Sequence, residues 1–211
     1  MNTVAWVDML ARGAGAAPRS VALRRLGPAA CAGLLTSVML AILVLGPLPA
    51  SAFASLSVWL KLGYTGALAA AAGWLAARAG RPVPRVTVPG CALLAVVLVM
   101  VGLGASVMAS SAPGDRMHVL MGNTALQCPW LVLALSLPAL GLSFWAMRSL
   151  APTQLRMAGF AAGLLAGAVG AFGYSLACPE ASAAFVSVWY TLGIALTGVL
   201  GAALGPQVLR W

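Results

Sequence analysis

Carboxylates are almost missing from this chain: Asp8, Asp115 and Glu180 are the only three in 211 residues. Histidine occurs once, at His118, and lysine once, at Lys61. Charged residues make up 7%. Soluble domains carry roughly 25%. Proton relays through a membrane use buried Asp, Glu or His, and no such residue falls in an apolar stretch, which disfavours a pump or ion channel. No run of Lys or Arg is dense enough to track a phosphate backbone, so the net charge of +9 does not imply direct nucleic-acid binding. There is no C-x-x-C pair, which excludes a thioredoxin-type motif or a zinc ribbon. Short alternating segments of the barrel kind are absent as well.

What remains is hydrophobic: 62% of residues are apolar and the mean hydropathy is +1.01. A core of this length cannot hide that much apolar surface from water, so the chain is expected in a membrane. Crossing about 30 Å of hydrocarbon takes about 20 apolar residues per helix. Six such stretches are present, near 27–45, 53–77, 86–108, 128–147, 155–177 and 184–204. Backbone groups in lipid must satisfy one another, so the expected fold is all-α, a polytopic bundle of six transmembrane helices. The organisation is a cytoplasmic N-terminal segment over 1–26 and a membrane domain over 27–211. Pro47 and Pro49 mark the first connection, and Pro82, Pro84 and Pro89 the second.

Charge orients the bundle. Arg12, Arg19, Arg24, Arg25, Arg78, Arg81, Arg85, Arg148, Arg156 and Arg210 fall on one side of a six-span chain. The other side has Arg116 with Asp115 and Glu180. The positive-inside rule places the arginines, and therefore both termini, in the cytoplasm. Arg24-Arg25, the following apolar run and Ala50-Ser51-Ala52 also resemble a cleavable signal, but the run exceeds the usual 7–15 residues. The intact first span is the expectation.

Two Cys-Pro pairs give the bundle chemistry. Cys128-Pro129 opens the fourth stretch and Cys178-Pro179-Glu180 closes the fifth. A helical hairpin returns residue 178 to the level of residue 128, in one aqueous leaflet. Packed helices lie about 8–10 Å apart and a disulfide needs Cα atoms about 4.4–6.8 Å apart, so a bond is geometrically open. Three readings stand at this point: a structural disulfide, a redox or metal-sensing pair, and two unpaired thiols. His118, Asp115 and Glu180 lie on the same side and could complete a thiophilic metal site with Cys128 and Cys178. A lone His is more often a plain loop residue. Cys31 and Cys91 are expected as inert packing residues. No resident cofactor is expected beyond a transient thiophilic ion.

Lys61 lies within the second stretch, where a charge is costly. It is expected to snorkel outward, or to pair with Glu180 or Asp115. Gly159, Gly163 and Gly167 recur every four residues, as do Gly201 and Gly205, a spacing that lets helices approach closely. Near the start, Val4, Trp6, Val7 and Leu10 fall at helical spacing before Gly13-Ala14-Gly15. A helix there would dock a partner through Trp6, Val7 and Leu10, or lie on the bilayer.

The run Tyr174-Ser175-Leu176-Ala177-Cys178-Pro179-Glu180, then Phe185, Trp189-Tyr190, Gly193-Ile194 and the ending Gly205 to Trp211, resembles the NrsF family. Cys128-Pro129 and the opening Thr3 to Leu10 extend the resemblance over nearly the whole chain. It implies a six-helix bacterial inner-membrane protein that negatively regulates an extracytoplasmic-function (ECF) sigma factor. The resemblance implies a regulator and not an enzyme. The cytoplasmic segment and inner loops would hold the sigma factor. The family's cysteine pair maps onto Cys128 and Cys178, which would register heavy-metal or oxidative stress. Where the family pattern has His before Cys-Pro-Glu, this chain has Ala177, which favours thiol oxidation over metal ligation. The competing functions are a small cation transporter or channel, and a membrane thiol oxidoreductase.

Overall fold

A computed structural model describes residues 3–13, 21–81, 83–210. Arg19, the Ala14-Gly15 pair, Pro82 and Trp211 lie outside the described residues. Eight helices and no strand occur among the described residues. They are α1 (Thr3–Gly13), α2 (Val21–Leu45), α3 (Leu56–Ala79), α4 (Thr87–Ser110), α5 (Arg116–Met121), α6 (Cys128–Arg148), α7 (Leu155–Ser175) and α8 (Ala183–Val208). Five of them, α2, α4, α6, α7 and α8, are long and apolar enough to cross a membrane. Helix α3 has 24 residues but carries Lys61, Tyr64 and Thr65 on one buried stripe, which lowers its apolar character.

The helix limits differ from the apolar stretches in physically simple ways. Helix α2 begins at Val21, ahead of the apolar run, because Arg24 and Arg25 are good helix formers. The segment after Pro49 makes a 3-10 turn over Ala50–Ala54 before α3 starts. Pro89 falls in the first turn of α4, where a missing N–H costs nothing, so it belongs to the helix and not to the connection. Between α6 and α7 the chain reverses through Ala151, whose φ of 50° is the left-handed conformation of a tight turn.

Helix α7 is the axle. Most of its residues are buried, and it packs against α2, α3, α6 and α8. The reason is the absence of side chains on several of its faces. A Cβ at Gly163 would collide with the Thr197 carbonyl and stand 2.9 Å from the Cα of Gly198. Gly201 of α8 approaches Gly163 in the same way. Gly170 lies against Ser136 of α6, and Gly173 against Ser37 of α2. The four-residue glycine ladders therefore serve packing within the bundle. By contrast α4 buries only Pro89, Met100 and Gly104. An apolar groove of about 410 Å³, lined by Leu60, Tyr64, Val96 and Met100, runs between it and α3.

Cys31 and Cys91 are exposed on the outward faces of α2 and α4. They do not fill the core as expected. Both follow helical positions whose buried stripe lies elsewhere, since α2 buries Leu26, Ala29, Gly33, Ser37 and Ala41.

Candidate functional site

The α6–α7 hairpin does what its length requires. Cys128 stands at the first turn of α6, its N–H donating to the Thr124 carbonyl at 2.9 Å. Cys178 follows the end of α7, its N–H donating to the Tyr174 carbonyl at 2.9 Å. The two side chains stand within electrostatic reach of one another and of Lys61. Both cysteines are free, and both are completely buried. The shared leaflet was expected to wet them. Instead, the loops joining α5 to α6 and α7 to α8 close over them.

Lys61 fastens this lid from below. It is 1% exposed, so it does not snorkel. Its Nζ donates to the carbonyl of Cys178 at 2.7 Å and to that of Glu180 at 2.9 Å. The expected pairing with residue 180 thus occurs through the backbone and not through the carboxylate. The two carbonyls lie just beyond the C-terminal end of α7, whose negative dipole end also suits an ammonium nearby. A buried charge without such partners would cost several kcal/mol, roughly.

The Glu180 carboxylate fastens the lid from above. Its Oε1 accepts from the Asn123 N–H at 2.8 Å and from Thr124 Oγ1 at 3.3 Å. Gly122 makes room for it: a Cβ there would meet the carboxylate carbon at 2.7 Å, and its φ of 52° suits glycine. The lid is held further by the Leu48 N–H on the Leu176 carbonyl at 3.0 Å. Trp189 Nε1 likewise donates to the Leu120 carbonyl at 2.9 Å.

Two tyrosines complete the site. The rings of Tyr174 and Tyr190 are 5.5 Å apart and tilted by 43°. Tyr174 interacts with Cys128 and Cys178 through its hydroxyl. Tyr190 is fully buried on a π turn over Val186–Tyr190, its hydroxyl beside Cys178 without a well-formed hydrogen bond. Such single π turns gather at functional sites. The spacing of the sequence carried no signal for these two residues beyond their place in the family-like run.

The other expected site residues are dispersed. His118 and Asp115 are exposed at α5. No group of three or more His, Cys, Asp and Glu side chains converges among the described residues. At the start of the chain, α1 buries nothing: Trp6, Val7 and Leu10 are exposed, and Arg12 reaches back to Asp8 at 2.6 Å.

Comparison with known proteins reaches the whole chain. The family model described as NrsF, negative regulator of sigma F, matches residues 10–211. A protein of Azospira oryzae named "Probable anti-sigma-F factor NrsF" is 38% identical over 213 residues, covering 100% of both chains. The "Anti-sigma-F factor NrsF" of Caulobacter vibrioides is 35% identical over 224 residues, again covering 100% of both. No solved structure matches.

Proposed function

The chain belongs to the NrsF family, and from that premise we propose that it is a membrane-anchored anti-sigma factor which sequesters an ECF sigma factor at the inner membrane. In this reading α3 is the sixth span. Its 24 residues reach about 36 Å at 1.5 Å per residue. Both termini then face the cytoplasm with the arginines. The exposed apolar stripe of α1, through Trp6, Val7 and Leu10, contributes to holding the sigma factor.

The observation that carries the reading is the separation of chemistry along two continuous helices. Helix α6 runs from Cys128 to Arg148, and the next helix returns from Arg156 toward Cys178. A change at the thiols therefore bears on both helices that end at the arginine face. Oxidation would join the two thiols as a disulfide, with two electrons and two protons passing to a peroxide or similar oxidant. A thiophilic ion would bridge them instead. Either reaction must first part the Lys61–Glu180 lid, since neither thiol is exposed. Release needs only a difference in affinity between the two states of the bundle. About 3 kcal/mol would weaken sigma binding roughly a hundredfold.

The test is co-purification. The chain, solubilised gently from its own membranes, is expected to bring down a sigma factor and to lose it on treatment with oxidant. A chain carrying Cys128→Ser and Cys178→Ser is expected to keep the sigma factor under the same treatment. Normal release from that double variant would sink the sensing half, and failure to capture any sigma factor would sink the whole.

A further inference from the structure

The end of the bundle opposite the thiols is basic and unneutralised. The α3–α4 connection meets the α6–α7 connection there, with Gly80 against Leu150. Arg148 Nε donates to the Val208 carbonyl at 2.6 Å, which brings the C-terminal end of α8 to the same place. The first turns of α2 lie beside the last turns of α3, where Leu23 and Leu26 share a groove with Trp74 and Ala77. Arg24, Arg81, Arg85, Arg148, Arg156 and Arg210 are all exposed at this end. Among the described residues the only ion pair in the chain is Arg12 with Asp8, so no carboxylate balances these arginines. Helices α2, α4 and α7 also begin at this end, without an acidic residue in any first turn. The ends of α3, α6 and α8 lie here too, so the helix dipoles largely cancel and the positive field is that of the arginines.

Topology alone would place arginines around the rim, against lipid headgroups. Arg156 is not on the rim. It rises from the first turn of α7, the helix encircled by α2, α3, α6 and α8. A partner seated across the end of the bundle, in the aqueous phase, would neutralise it. Resting on the reading above, we infer that this face binds an acidic surface of the sigma factor, and so leaves that protein's DNA-binding surface uncovered. A surface that grips promoter phosphates is itself basic, and two basic surfaces repel. Inhibition then comes from tethering the sigma factor to the membrane and covering its acidic side, not from imitating DNA.

The experiment uses the full chain in nanodiscs of phosphatidylcholine alone, with the source cell's sigma F protein as probe. Binding is expected without anionic lipid, and to weaken about tenfold between 50 and 300 mM salt. Replacing Arg81→Glu together with Arg85→Glu is expected to weaken it by a further factor of about thirty. A second variant, Arg81→Lys, keeps the charge and supplies a primary amine at the face. Treated with carbodiimide, its position 81 should form an amide to an Asp or Glu of the sigma factor, identified by mass spectrometry. Tight binding by the wild type with no salt or charge-reversal effect, and no such cross-link from the Arg81→Lys chain, overturns the inference while leaving sigma binding intact. So does binding that appears only with anionic lipid, which would make the face a headgroup site. No sigma binding by the wild type in any lipid overturns both this inference and the function it rests on.

Discussion

The two ends of the bundle differ in how their polar groups are satisfied. At the thiol end, the lysine ammonium and the Glu180 carboxylate both find partners inside the molecule. At the arginine end, cations stand exposed without a carboxylate among the described residues. The first arrangement closes a structure on itself, and its loss should be felt as instability. The second leaves charge for something else to complete, and its loss should be felt in binding. Stability and partner affinity therefore become separable by position.

The largest effect should come from the axle that both ends share. Gly163→Val places a branched side chain against the Thr197 carbonyl and the Gly198 backbone. The helices must separate, and overpacking of this kind costs about 1–3 kcal/mol or more. A chain that fails to accumulate in the membrane, or melts far below wild type in detergent, is the expected result. Unchanged melting would mean that the close α7–α8 approach is not what holds the two ends together.

Next comes Lys61→Met, which keeps the length of the side chain and removes the donor. The buried Cys178 carbonyl loses its partner, at roughly 1–3 kcal/mol for an orphaned buried acceptor, and the half-buried Glu180 carbonyl loses its own at a smaller cost. The loops over the thiols should loosen, so that a membrane-permeant maleimide labels Cys128 and Cys178 several-fold faster than in wild type. Equal labelling rates would show that the lysine does not fasten the lid. Gly122→Ala tests the same lid from its other side. A Cβ there meets the Glu180 carboxylate at a positive φ, and the cost is about 1–2 kcal/mol. Faster protease cleavage between residues 122 and 127 is the readout.

The smallest effect on stability is expected at the other end. Arg81→Gln with Arg85→Gln should leave the melting temperature nearly unchanged, since exposed substitutions usually stay within about 0.5 kcal/mol. The same variant should retain less sigma factor. A large loss of stability here would erase the contrast between the ends.

Much of this was legible in residue order. The apolar stretches placed the helices, and the hairpin lengths placed Cys128 and Cys178 at one end with the arginines at the other. The glycine ladder named the α7 face that meets α8, but Gly170 and Gly173, which open its other faces, make sense only once α6 and α2 lie against them. Lys61 shows the limit most clearly. Its depth along α3 was readable from its position, yet whether it points outward to the headgroups or inward to carbonyls depends on the rotation of α3 about its own axis. Residues more than a hundred positions away set that rotation.

What the amino-acid sequence determined by itself is the one-dimensional part: which segments are helical, how long they are, which family they belong to, and how charge divides between connections. These follow from local hydrophobicity and from groups that act wherever they are placed along the chain. Only the tertiary structure decided that the thiols are buried, that Lys61 spends its charge on two carbonyls, and that Glu180 grips the backbone at Asn123. Those facts depend on which faces of different helices meet, and a face acquires its partner only when the chain has folded back upon itself.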